Sequence, residues 1–148
     1  MGKKGGSNGK AFIEMYGVSD LLKKIEKANG NLEDAISKAV EKSVELPKQD
    51  MLNFMEQHHR SGDTEESFTV YPIKWKDGVG TVKLGFSIKK KGLPAVFLNY
   101  GTPKIQPTFF IQHAVDDHID EIHQIHRNTL EEILKELLWT NYMSYLNN

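Results

Sequence analysis

Cysteine is absent from this 148-residue chain, which excludes disulfides, thiolate zinc sites and a cysteine nucleophile. No apolar run approaches the ~20 residues needed to span a bilayer. The opening MGKKGGSNGK carries lysines with no hydrophobic stretch behind them, so it does not read as a secretion signal. Its Met-Gly start lacks a Ser or Thr at the position that myristoylation uses. No large charge of either sign is present. Nineteen Lys and Arg balance twenty Asp and Glu, which removes any global reason for nucleic-acid or membrane binding. Two phosphate-cradling patterns, G-x-x-x-x-G-K-[ST] and G-x-G-x-x-G, are missing. So is the nucleophile elbow G-x-S-x-G.

What is there reads as one α+β domain over residues 11–148, preceded by a flexible Gly-rich arm at 1–10. AFIEMY at 11–16 suits a short strand ending at Gly17. Ser19 or Asp20 then caps a helix through Ala28, and Asn29-Gly30-Asn31 breaks it. Leu32, Ala35, Ile36, Ala39, Val40 and Val44, followed by Met51, Leu52 and Met55, step at helical spacing. Pro47 should kink or restart this helix, and His58-His59-Arg60 places cations at its C-terminal dipole.

The middle third changes period. Val82, Leu84, Phe86 and Ile88 alternate with polar or small residues, predicting a strand with one buried face. Ser67 to Lys76 predicts a strand that Pro72 confines to an edge or bulge. Asp77-Gly78 is the turn between them. Ala95 to Tyr100 completes the expectation of an antiparallel three- to four-stranded meander. Neither Gly nor Pro occurs from Thr108 to Asn148, so one long C-terminal helix is predicted, bent at most near Asn128-Thr129. At ~1.5 Å per residue it outruns a domain of this size, and part of it should project or meet another subunit. Leu138, Trp139, Tyr142, Met143, Tyr145 and Leu146 make its end an interface candidate.

Few residues suggest chemistry. His113, His118 and His123 are five apart and do not share a helix face as a zinc pair would. Asp116, Asp120 and His123 do share a side, and define the alternative of a metal-dependent hydrolase or nuclease. A polar helix face with local His–carboxylate contacts explains the same residues. Lys83 with Lys89, Lys90 and Lys91 forms one basic patch, which leaves open a nucleic-acid-binding accessory role. No catalytic, cofactor-binding or metal-binding residue is assigned.

Three stretches carry a family resemblance: SGDTEESF at 61–68, AVFLNYGTPK at 95–104 and QPTFFIQHA at 106–114. They resemble the head–tail joining proteins of long-tailed, siphovirus-type bacteriophages, the small neck or tail-completion family. Ser61, Gly62, Ser67 and Phe68 match the element entering its sheet. Tyr100, Gly101 and Thr102 match its aromatic-Gly-Thr corner, and Phe109, Phe110 and Ala114 its last-helix start. Asn99, Glu65 and Thr108 depart from the family pattern. Gly101 and Pro103 give the corner a physical basis of their own, since one permits and the other fixes the turn.

The resemblance implies a non-enzymatic structural protein of the virion neck or tail, made in the host cytoplasm and working without cofactors. It implies a sixfold ring of identical copies, joined to a head-closure or connector protein and to the tail tube or tail terminator. DNA would pass through the channel without sequence-specific binding, and no membrane is involved. The edge strand 67–76 and the aromatic C-terminus are the surfaces assigned to assembly, with the basic hairpin toward the channel or an acidic ring. A tail terminator capping the tube is the alternative within this class.

Overall fold

In the computed structural model, which describes residues 9–58 and 63–147, the first element is a strand, β1 (Lys10–Met15). Ala11, Ile13 and Met15 alternate into the interior, as one buried face requires. The arm expected over 1–10 falls outside the described residues as far as Asn8. Gly9 and Lys10 are buried, and Lys10 already pairs with Gly85. Helix α1 (Ser19–Lys27) buries Leu21 and Ile25. It stops at the expected break, where Asn29 adopts a left-handed conformation.

Helix α2 (Leu32–His58) is capped by Asn31, whose side-chain oxygen accepts the Asp34 N–H at 3.0 Å. It continues through Pro47 as one element, so the anticipated restart does not occur. Its last turn is closed by His58, whose Nδ1 bonds the Phe54 carbonyl at 2.8 Å. His59 and Arg60, like Ser61 and Gly62, lie outside the described residues.

A single turn, α3 (Asp63–Glu66), leads into the sheet. The strand predicted over 67–76 is two short pieces, β2 (Phe68–Val70) and β3 (Lys74–Lys76), interrupted around Pro72. Both pair antiparallel with β4 (Val79–Phe86). Asp77 and Gly78 take positive φ and form the tight turn between β3 and β4. Beyond Phe86 the alternation fails. Ile88 is exposed and belongs to a 3-10 turn spanning Ile88–Lys90.

The third strand expected at Ala95–Tyr100 is a helix, α4 (Leu93–Tyr100). A short apolar run has no period of its own. Gly92 before it, Pro94 in its first turn and burial of Ala95 and Asn99 four apart decide for helix. The vacated place in the sheet goes to β1, giving the order β1-β4-β2, with β3 also on β4. The sheet is therefore four-stranded and antiparallel, with its edge supplied from the start of the chain.

The single long helix expected after Thr108 is two helices, α5 (Phe110–Asp116) and α6 (Ile119–Leu146). The break falls at Asp117–His118, and α6 runs through Asn128-Thr129 without interruption. It lets α5 bury Phe110, Ile111, Ala114 and Val115 while α6 takes its own course. Ile119, at helical spacing from the buried Ile111 and Val115, is exposed beyond the break.

The main core sets Ile13, Val82, Leu84 and Phe86 of the sheet against Met51, Met55, Phe110, Ile111 and Ile122. A smaller cluster gathers Met15, Leu21, Ile25, Ala35, Ala39 and Leu130. Helix α6 lies antiparallel to α2: His118 meets Asp50, His126 meets Ser43, and the Leu137 side chain crowds Gly30. That pairing exhausts α2 at its first residue. From Leu138 onward α6 has no α2 beside it, an overhang of roughly 13 Å at 1.5 Å per residue.

Candidate functional site

The Tyr100–Pro103 corner is tightly built. Thr102 and Ile105 exchange backbone hydrogen bonds at 2.9 and 3.1 Å, and the Thr102 hydroxyl accepts the Lys104 N–H at 3.1 Å. Gly101 has φ +81°, and a Cβ there would sit 2.8 Å from the Ile105 carbonyl oxygen. The corner joins α4 to α5, whereas its expected place was between sheet and last helix.

Two amides that apolar spacing gave no reason to notice hold this corner to the rest of the molecule. Asn99 is fully buried. Its Oδ1 accepts the Ile111 N–H at 2.9 Å, and its Nδ2 donates to Gln112 Oε1 at 2.8 Å. Gln112 Nε2 donates in turn to the Lys10 carbonyl at 3.1 Å. Strand β1, α4 and α5 thus share one polar network in low-dielectric surroundings. The signal available in the sequence was a polar amide inside each of two apolar stretches.

The histidines of α5 and α6 are divided among separate tasks. His118 bonds Asp50 at 2.7 Å and Glu121 at 3.0 Å. Hydrogen bonds to Glu121 and then Asp50 hold its pKa above the ordinary histidine value. His123 Nδ1 shares a hydrogen bond of 3.1 Å with the Tyr16 hydroxyl. His126 is buried, and its Nε2 lies 2.9 Å from Ser43 Oγ. The Ser43 hydroxyl proton is committed to the Val40 carbonyl, so Ser43 can only accept, and His126 is the Nε2–H tautomer. Its bare Nδ1 has no partner. Burial, and secondarily His123, push its pKa down to about 4. Among the described residues no three His, Asp or Glu side chains converge to hold a metal ion. Asp116 and Asp120 are exposed, and the metal alternative receives no geometric support from them.

Several basic residues gather where the start of β1, strand β2 and the turn after β4 come together. Lys10, Thr69, Tyr71, Ser87, Ile88, Lys89 and Lys90 line a solvent-open cavity of about 400 Å³. Lys83 Nζ lies 4.7 Å from the Tyr71 ring centre. None of the residues lining the cavity is acidic.

Two apolar areas remain open. On α6, Leu138 is 54%, Trp139 62% and Tyr145 78% exposed, with Tyr142, Met143 and Leu146 beside them. Asn141 Nδ2 fixes this segment by donating to the Ala28 carbonyl at 3.1 Å. The second comprises Leu93 and Phe97, one turn apart on α4; Ile105 and Phe109 in the following loop are exposed as well. The sequence marked the first and missed the second, because α4 was read as a strand. Trp75 and Val70 are also exposed on the two-piece edge strand.

No helix among the described residues is long and apolar enough to cross a membrane. No family model, curated protein or solved structure matches this chain.

Proposed function

We propose that this chain is a non-enzymatic structural protein of a bacteriophage neck or tail, which joins or completes the tail by forming a ring of identical copies. The reading rests on the resemblance of the 61–68, 95–104 and 106–114 stretches. The observation that supports it most is the overhanging, aromatic end of α6. A lone molecule leaving Trp139, Tyr142 and Tyr145 in water gives up the apolar burial that an interface would supply. The polar-latched corner holds α4 and α5 as one rigid support, which suits a part that must fit neighbouring rings.

Particles from a phage strain lacking the protein provide the test. Filled heads beside unattached tails of normal length are expected in negative-stain images. Tails of uncontrolled length would instead favour the terminator role, since a missing cap leaves the tube free to grow. Normally joined particles would overturn both.

A DNA-facing role for the basic cavity is a second reading, favoured by Lys10, Lys89 and Lys90 gathered around Thr69 and Tyr71. Such contact is to phosphates and falls steeply with salt. Binding to duplex DNA that is unaffected by salt, or absent at low salt, removes it.

A further inference from the structure

We propose that the outer edge of β2 receives an extended segment of a partner protein, which joins the sheet as a further strand beside α2. The hydrogen-bond register leaves that edge open. The Ser87 N–H donates to the Ser67 carbonyl at 3.0 Å, and the Tyr71 N–H to the Lys83 carbonyl at 2.8 Å. Ser67, Thr69 and Tyr71 therefore turn their backbone groups toward β4, whereas Phe68 and Val70 turn theirs away. Among the described residues no hydrogen bond reaches the backbone of Phe68 or Val70. Beside them runs a solvent-open groove of about 400 Å³, whose other wall is α2 through Val40, Glu41, Val44, Glu45 and Lys48. Phe68 and Val70 lie opposite the buried Phe86 and Leu84, so their side chains are on the core face of the sheet. A strand laid along β2 sets every second side chain into the groove, over Val40 and Val44. Its backbone takes up the free groups of Phe68 and Val70.

The charges of the groove state what the segment carries. Glu41 and Glu45 are exposed, one turn apart on α2, and neither has an ion pair among the described residues. Their basic neighbours are turned elsewhere: Lys42 reaches Glu132 at 4.0 Å, Lys48 lies 5.7 Å from the Phe68 ring centre, and Lys38 does not line the groove. Lys74, Lys76 and Lys83 of the sheet alternate onto its opposite face. Two unpaired carboxylates beside an apolar floor therefore select Lys or Arg among the apolar side chains of the incoming strand. This chain does not supply such a strand itself. Residues 1–8 hold two lysines, with no apolar side chain from Gly2 to Asn8. Strands β1 and β4 already bury their inward side chains in their own molecule. Strand β3 carries Lys74 and Lys76 on the face opposite Trp75, whereas the groove takes both kinds on one face. Two copies of β2 joined edge to edge would bring Glu41 and Glu45 toward their own counterparts.

The proposal stands on this edge and groove alone and holds whether or not the chain forms a ring. Short random peptides selected on the full-length protein, with the enriched sequence then synthesised, supply the probe. Selection should enrich apolar residues at alternate positions, with Lys or Arg on the same face. Glu41→Lys with Glu45→Lys should weaken the synthetic peptide about tenfold, through the loss of two exposed ion pairs. Both positions are exposed, so circular dichroism and melting temperature should be unchanged in that variant. Methylating one alternate set of the peptide's backbone nitrogens should abolish binding, and methylating the other set should leave it intact, with the protein untouched in both cases. Hydrogen exchange at the Phe68 and Val70 amides should slow in the complex. Failure to enrich any peptide overturns the proposal, as do equal effects of the two methylated sets or unprotected Phe68 and Val70 amides. Affinity unchanged by the two charge reversals overturns it too. So does protection of the same amides that rises with protein concentration in the absence of peptide, which would make a second copy the occupant.

Discussion

Asn99 and Gln112 face each other across 2.8 Å in the protein interior, amide nitrogen to amide oxygen. Through them the end of α4, the start of α5 and the first residue of β1 are held in one network.

Removing Asn99 leaves the Ile111 N–H and the Gln112 carbonyl oxygen buried and unpaired. Asn99→Ala should therefore cost about 2–4 kcal/mol in urea unfolding. Adding Gln112→Ala should cost less than that substitution does alone, with a coupling of about 1–2 kcal/mol. Strict additivity would show that the amides act separately.

His126 makes stability depend on pH in a definite direction. Its folded pKa, about 4, is below its ordinary 6.5, so the unfolded chain binds the extra proton first. The contribution is complete above pH 6.5 and is lost as pH falls toward 4. It amounts to about 3 kcal/mol across that window. His118 has the opposite sign: its pKa is raised, so its contribution is complete at low pH and lost as pH rises through the folded value. In His126→Leu the acid-side slope should flatten. An unchanged slope, or a histidine resonance titrating near 6.5 at this position, would contradict the buried neutral tautomer.

Gly85 has φ +148°, and a Cβ there would collide with the Gly9 carbonyl and with Lys10. Gly85→Ala should destabilise the protein by about 3 kcal/mol or more through backbone strain and loss of the first β1–β4 pair. Hydrogen exchange at Ala11 and Ile13 should quicken accordingly. Protection equal to wild type would count against that register.

Leu130 and Leu146 lie on the same helix, yet only Leu130 is fully buried. Leu130→Ala should cost about 2–5 kcal/mol, whereas Leu146→Ala should stay within about 0.5 kcal/mol in the monomer. Equal losses would mean that the end of α6 is packed within its own molecule.

Much of this architecture was legible residue by residue. The breaks at Asn29-Gly30 and Asp77-Gly78 depend on backbone conformations that those residues favour, and they fall where predicted. The proline in the edge strand worked the same way, interrupting pairing where a donor is missing. The misreadings came where local signals are silent. AVFLNY carries no period, so its helix was decided by Gly92, by Pro94 and by the burial of Asn99 against α5. The break at Asp117–His118 was equally hidden: no Gly or Pro marks it, and the partner that His118 meets there, Asp50, is 68 positions away. Of the candidate surfaces, the helix end was visible as an aromatic cluster. The α4 face became visible only once its residues were placed on a helix.

The pairing of β1 with β4 also sets a timetable for folding. Lys10 leaves the ribosome 75 residues ahead of its partner Gly85, and Met15 waits still longer for Leu130 to complete its cluster. Until then the earliest strand has no sheet to join. Closing so wide a loop slows the search for the native state and lengthens the time for which sticky edges stay uncovered. A nascent chain stalled before Val79 should accordingly be protease-sensitive throughout, and the molecule gains its shape only as its last helix emerges.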